Sequence, residues 1–157
     1  MKEFPNEAFD LNDEILATMN VARSEYELEF HAVLQLKNGL PMVRANRTHI
    51  QKVLLNLLHN CIEAMQQAVM LPHSITVTIR TIMAESLVQM TIQDNGPGFK
   101  KEDIKRLFEP FFTTKPTGIG MGLVISRSLI EANGGQLWVD PTDSPGATFH
   151  LTLPLAT

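Results

Sequence analysis

Asp94-Asn95-Gly96-Pro97-Gly98-Phe99 opens a stretch that continues with Leu107-Phe108-Glu109-Pro110-Phe111-Phe112-Thr113-Thr114-Lys115 and closes with Gly118-Ile119-Gly120-Met121-Gly122-Leu123. Two glycine clusters thus bracket an aromatic patch and a lysine. Glycines at this spacing let backbone amides approach an anion without interference from Cβ. The second cluster runs into an apolar-periodic segment, so a helix is expected there whose free N–H groups and positive dipole end would face a phosphate. One loop glycine is usually a turn, but the three motifs in order point to a phosphate cradle.

Immediately upstream, Ile75, Val77, Ile79 and then Val88, Met90, Ile92 alternate on either side of Ala84-Glu85-Ser86, which reads as a β-hairpin. Counting by two from Val88 lands on Asp94, whose carboxylate therefore shares the core face. A buried carboxylate must find donors. It either bonds the following Asn-Gly turn, or accepts hydrogen bonds from a ligand amino group, such as the adenine exocyclic amine, at the floor of a pocket.

Further upstream, Ile50, Val53, Leu54, Leu57, Leu58, Cys61, Ile62 and Met65 follow i, i+3, i+4 spacing. This predicts a long helix, with Thr48 as its cap and Pro72 ending the region. Lys52, Asn56, His59, Asn60, Glu63 and Gln67 fall opposite that stripe, with Asn56, Asn60 and Glu63 in one row. A solvated helix face is one reading. Asn, however, is a poor choice for such a face because it competes for backbone hydrogen bonds. A row of side-chain oxygens suits Mg²⁺, a hard cation commonly shared with phosphates.

The remaining elements follow the same logic. A short strand is expected by about Phe9, then a helix capped by Asn12 or Asp13 that runs to about Tyr26. From Glu27, the alternation of Leu28, Phe30, Ala32, Leu34 and Leu36 predicts a half-buried strand; Lys37-Asn38-Gly39 turns the chain, and residues 42–45 return as a second strand. Residues 100–120 lack sustained periodicity, so a short helix near 102–107 and then a mobile loop are expected. Lys115 lies in that loop, where its cation could reach phosphate oxygens. Phe108, Phe111 and Phe112 are either core or a patch that folds onto a nucleotide or a partner. A helix over 121–132 should close at Asn133-Gly134-Gly135, followed by strands over 136–140 and 147–153 with a turn over 141–146.

The chain has 157 residues, 44% of them apolar and 19% charged, which supports one globular domain with a real core. Its net charge of −4, with 13 basic residues against 17 acidic ones and no basic run, argues against a nucleic-acid-binding surface. Cys61 is the single cysteine, so no intramolecular disulfide forms. With no membrane-length apolar run and no secretory signal, the expectation is a cytoplasmic domain, or the cytosolic part of a larger sensor, without membrane contact of its own.

Together these residues resemble the catalytic and ATP-binding domain of a sensor histidine kinase. This is a branch of the GHKL superfamily, which includes type II topoisomerases, Hsp90-type chaperones and MutL-type repair proteins. The N box resembles Gln51-Lys52-Val53-Leu54-Leu55-Asn56-Leu57-Leu58-His59-Asn60-Cys61-Ile62-Glu63-Ala64, the G1 box the run from Asp94 to Phe99, the F box that from Phe108 to Phe112, and the G2 box that from Gly118 to Leu123. The resemblance implies an α/β (α+β) two-layer sandwich, a mixed, mostly antiparallel sheet under about three helices, with a mobile ATP lid over about residues 99–119. It implies that Asn60 ligates the Mg²⁺ that bridges the phosphates and that Asp94 reads adenine. Gly96 and Gly98, with Phe99 beside them, would line the base and ribose side. Lys115 and the amides of Gly118, Gly120, Met121, Gly122 and Leu123 would hold phosphates, and Asn56 and Glu63 would complete the binding row. Asn56, Asn60 and Lys115 are the catalytic candidates.

Three departures carry information. Many histidine kinases have Lys or Arg three residues after the Mg²⁺ asparagine, where this chain has Glu63, as in kinases resembling the nitrogen-regulation and oxygen-sensing PAS-linked class. The last strand often reads Gly-Thr-x-Phe, whereas this chain reads Gly146-Ala147-Thr148-Phe149. Ala147 shares the face of Phe149, so Thr148 receives no adenine role. Hydrolysing members place a general-base Glu where Asn56 stands. A neutral amide cannot take the proton, so hydrolysis should be slow and ATP kept for transfer.

The five histidines, His31, His49, His59, His73 and His150, lack the helical context of an acceptor. The resemblance therefore implies a single catalytic domain over 1–157, monomeric alone, with the dimerisation and phosphoacceptor domain elsewhere. That domain and a downstream response regulator are its expected partners. An anti-sigma-factor type of serine kinase and a nucleotide-dependent interaction module are the alternatives.

Overall fold

The computed structural model describes residues 6–25, 30–67, 75–111, 122–140 and 146–156. In chain order the elements are β1 (Glu7–Phe9), α1 (Leu11–Glu25), β2 (His31–Gln35), β3 (Val43–Ala45), α2 (Arg47–Gln67), β4 (Thr76–Ala84), β5 (Leu87–Asp94), α3 (Lys101–Ile104), α4 (Gly122–Ala132), β6 (Leu137–Val139) and β7 (Thr148–Pro154).

The main sheet has the order β2-β4-β5-β7-β6, with β2 parallel to β4 and every other pair antiparallel. Alternate residues of β5 (Val88, Met90, Ile92, Asp94) and β7 (Phe149, Leu151, Leu153) are buried on its inner face. Against that face α2 packs the predicted stripe, with Ile50, Val53, Leu57, Leu58, Cys61, Ile62 and Met65 each at most 1% exposed. Each large apolar side chain buried this way contributes about 1.5–3 kcal/mol. The result is the expected two-layer sandwich, with three long helices and the four-residue α3. Among the described residues no helix is long and apolar enough to cross a membrane.

Several local expectations need correction. Residues 43–45 do not return beside β2; they pair antiparallel with β1 in a separate two-stranded sheet. β2 is the exposed edge of the main sheet, and Leu34 is 36% exposed, so its alternation is only half used; Leu28 and Tyr26 lie outside the described residues. Asp10, not Asn12 or Asp13, caps α1: its Oδ1 accepts the Asn12 N–H at 2.9 Å, and its carbonyl accepts the Asp13 N–H at 3.1 Å. Asn12 instead donates to the Lys37 carbonyl at 3.1 Å and accepts from the Thr81 hydroxyl at 3.0 Å, which ties α1 to β4.

Asn46, not Thr48, caps α2, its Oδ1 accepting the His49 N–H at 3.0 Å. The short helix α3 ends at Ile104 and the chain proceeds through turn hydrogen bonds, Arg106 N–H to the Asp103 carbonyl and Glu109 N–H to the Arg106 carbonyl, both at 2.9 Å. Its cap, Lys100, offers no side-chain acceptor.

The end of α4 is as predicted. Gly134 has φ +81°, the Gly135 N–H reaches the Ile130 carbonyl at 3.0 Å and the Gly134 N–H reaches Glu131 at 3.0 Å, a Schellman closure. The preceding Asn133 clasps α4 to the start of α2, its Oδ1 accepting the Asn46 N–H at 2.7 Å while its Nδ2 donates to the Leu129 carbonyl at 2.7 Å.

On the other flank of α2, buried Glu14 of α1 pairs with Arg47 and accepts from Gln51 Nε2 at 3.0 Å. The hydrogen bond that Arg47 donates to Glu14 is the main reason its guanidinium is held above its ordinary pKa, against the opposing effect of burial. α2 is thus fixed by α1 on one side and α4 on the other.

Candidate functional site

β5 ends on Asp94, 4% exposed and on the core face, as strand phase predicted. Its Oδ1 accepts two backbone N–H groups, Gly96 at 2.9 Å and Ala147 at 3.0 Å, while its own N–H bonds the Ala147 carbonyl at 3.0 Å. The turn-bonding role is therefore real, and it uses only one carboxylate oxygen. Oδ2 has no hydrogen-bond partner among the described residues, which leaves an acceptor fixed in direction by the anchoring of its twin.

The glycines around Asp94 are set by close approach. A Cβ on Gly96 would lie 3.0 Å from Met65 Cγ of α2. Gly98 adopts φ +74° and its Cβ would meet the Gly146 carbonyl at 2.9 Å; Gly146, at φ +90°, would drive a Cβ into the Asp94 carbonyl. Residues 94–98 and 146–147 therefore form one tight backbone floor. Asn95 turns away from it, its Oδ1 accepting the Thr76 N–H at 2.8 Å. Phe99 closes the side of this floor, edge-on to Phe149 with ring centroids 6.0 Å apart. Ala147 and Phe149 are buried and Thr148 between them is half-buried, the alternation that the sequence predicts.

The second half of the site is the face of α2 turned toward α4. Asn56 donates Nδ2–H to the hydroxyl of Ser126 at 2.9 Å, and a Cβ on Gly122, the first residue of α4, would lie 2.8 Å from Asn56 Oδ1. Leu123 packs partly buried against the core. Asn60 and Glu63 are half-buried on the same flank. His59, on the α1 side, pairs with Glu25 at 2.8 Å.

The Asp94 floor meets α2 at the level of Met65 and the start of α4 meets it at Asn56, nine positions apart or about 14 Å along the axis. Asn60 and Glu63 stand between those levels. A ligand with its base at Asp94 and an anionic tail toward α4 must run along them.

Leu107, just before the F box, is buried; within the box Phe108 lies beneath the guanidinium of Arg127 with 4.8 Å to the ring centroid, and Phe111 is 76% exposed at φ 67°. The aromatics thus divide between core and surface. Lys115, Gly118, Gly120, Met121 and Phe112, with Thr113 and Thr114, lie outside the described residues, as do His73 and the turn at 141–145.

Two contributors escaped the sequence reading. Ser126, 2% exposed, is visible in retrospect only as the residue one turn beyond Gly122 on the same helix face. The Ala147 N–H is a backbone donor, for which side-chain type carries no signal.

The site thus sets a carboxylate anchored by two amides at a sheet end beside a helix start packed on an oxygen-bearing row, within a two-layer α/β sandwich. The family profile described as histidine kinase-, DNA gyrase B- and HSP90-like ATPase matches residues 45–157, and the chain belongs to that ATP-binding family. It is 46% identical over 121 residues to the sensor protein FixL of Bradyrhizobium diazoefficiens, a match spanning 77% of this chain and 23% of FixL. Identity to the sensor protein TdiS of Thauera aromatica is 44% over 124 residues, 78% of this chain and 22% of that protein. The chain therefore spans under a quarter of these relatives' length.

Among solved structures, the catalytic domain of the histidine kinase ThkA superposes with a TM-score of 0.82 at 29% identity, covering 98% of this chain and 97% of that one. ThkA in complex with the response regulator TrrA superposes at 0.79 and 26% identity, covering 96% of this chain and 42% of that one. The domain is of the catalytic, ATP-binding type found in sensor histidine kinases.

Proposed function

We propose that this domain binds Mg-ATP between the Asp94 floor and the α2–α4 flank and donates the γ-phosphoryl group to a histidine on a separate dimerisation domain, in two-component signalling. The observation that carries the reading is Asp94: one oxygen is held by two amides, and the other has no partner among the described residues and can accept from an adenine amino group. The tight floor of Gly96, Gly98 and Gly146 lets a planar base approach backbone without Cβ interference. Asn60, half-buried between the two ends, would hold Mg²⁺, with Glu63 beside it. When bound, Mg²⁺ offsets phosphate charge. Lys115 and the amides of Gly118, Gly120, Met121, Gly122 and Leu123 would contact the phosphates, Lys115 and Gly118 from within a lid over about 99–119.

In the transfer, the bond from the γ-phosphorus to the bridging oxygen breaks, a bond to an imidazole nitrogen forms, and ADP leaves. Asn56 offers no base for water: it is a neutral amide, and its Nδ2 is engaged by Ser126. Slow hydrolysis follows. The partners are the phosphoacceptor domain and, one step later, a response regulator, and the complex of ThkA with TrrA supports the latter. Residues 1–157 act as one catalytic domain, monomeric alone and placed in the cytoplasm.

The test supplies a purified helical histidine domain with γ-labelled ATP and Mg²⁺. Label on histidine is expected, with little free phosphate. ATP binding without transfer would favour the nucleotide-dependent interaction module, and label on serine the anti-sigma type of kinase.

A further inference from the structure

The glycine that begins α4 has a partner that backbone conformation does not explain. Only Gly39, Gly98, Gly134 and Gly146 are at positive φ among the described glycines, so Gly122 is in a conformation that alanine adopts with better helix propensity. What excludes a side chain is the Asn56 amide, whose Oδ1 and Nδ2 would stand 2.8 and 3.2 Å from a Cβ at residue 122. The amide is held there by Ser126 Oγ at 2.9 Å, one turn further along the same face of α4 and 2% exposed. The first-turn N–H groups of a helix lack intrahelical acceptors, so this contact sits at the end of α4 that can meet an anion. Asn56 also lies on the flank of Asn60, four residues later on α2.

We infer that Ser126 is a positioning residue for the polyphosphate: by holding Asn56 against the first turn of α4, it sets the register between the oxygen row of α2 and the leading amides of α4. The inference rests on the Mg-ATP reading above. Docking of α4 as such does not depend on Ser126, because Ile130 is fully buried and Asn133 clasps the other end to Asn46. Removing the hydroxyl therefore disturbs registration at one end rather than the fold.

The experiment compares ATP and adenosine affinity by calorimetry, with and without Mg²⁺, in the wild type, Ser126→Ala, Gly122→Ala, Asn56→Ala and Gly122→Ala/Asn56→Ala. Ser126→Ala should weaken Mg-ATP by roughly five- to tenfold, the size of one net hydrogen bond, while adenosine changes less than about twofold. Gly122→Ala should weaken Mg-ATP at least as much, yet add less than about twofold in the Asn56→Ala background, where no amide remains to be displaced. In ligand-free protein the side-chain NH₂ resonance of Asn56 should shift in Ser126→Ala while the thermal midpoint stays within a few degrees.

Equal losses for ATP and adenosine, unchanged Mg-ATP affinity in Ser126→Ala, or additive effects of Gly122→Ala and Asn56→Ala would each overturn the inference. Should Ser126→Ala fail to fold, the Gly122→Ala and Asn56→Ala cycle decides it. A wild type that binds no ATP overturns the Mg-ATP reading itself.

Discussion

Asp94→Asn separates the two jobs of this carboxylate. In the folded protein Oδ1 accepts from Gly96 and Ala147 at 2.9 and 3.0 Å, at a residue only 4% exposed. The asparagine carbonyl must take that place, because the reverse orientation would set an NH₂ against two backbone N–H groups. Each retained bond loses its charge assistance, so stability should fall by about 1–3 kcal/mol in all. The NH₂ then occupies the position of Oδ2 and faces the ligand's amino group, donor against donor. A hydrogen bond to a charged acceptor is lost, about 1.5–3 kcal/mol, and an unsatisfied donor adds about 1–3 kcal/mol. Affinity should therefore drop by at least about sixtyfold, since about 1.4 kcal/mol is tenfold. Calorimetric titration of ATP into the variant, below its own thermal midpoint, measures this. A folded variant whose Kd stays within about threefold of wild type refutes the adenine role.

Three further outcomes follow from the packing. Gly146→Ala should destabilise by more than about 3 kcal/mol, because φ is +90° and the new Cβ lands on the Asp94 carbonyl; a urea midpoint close to wild type would contradict this. Asn133→Ala should cost about 2–3 kcal/mol by leaving the buried Asn46 N–H unpaired, and hydrogen exchange should quicken at the start of α2. Glu14→Gln should cost about 1–2 kcal/mol in chemical denaturation; the charge pairing with Arg47 is lost, but Arg47 is 38% exposed and can be rehydrated.

The parts of the site most legible in the sequence are those carried by periodicity. Strand phase placed Asp94 on the buried face, and helix phase put Asn56, Asn60 and Glu63 on one flank, because each inference needs only local spacing. Caps were less legible: Asp10 stands beside Asn12 and Asp13, and Asn46 beside Thr48, and any of these side chains can cap, so the true boundary depends on tertiary register. The pairing of β1 with β3 across α1 is non-local and carries no turn signal. The third glycine of the second cluster read as phosphate cradle; the structure shows its immediate reason to be the Asn56 amide, a side chain many residues away.

The proposed binding mode is an axis, with the base at the Asp94 floor and the phosphates at the α2–α4 flank. Amide and side-chain NMR titration tests it directly. Adenosine should shift the Gly96 and Ala147 amides alone, and Mg-ATP should add shifts at the Asn60 side chain and the Gly122 and Leu123 amides. Mg-ATP shifts that bypass Gly96 and Ala147, or that leave Asn60 and Gly122 unmoved, would contradict it.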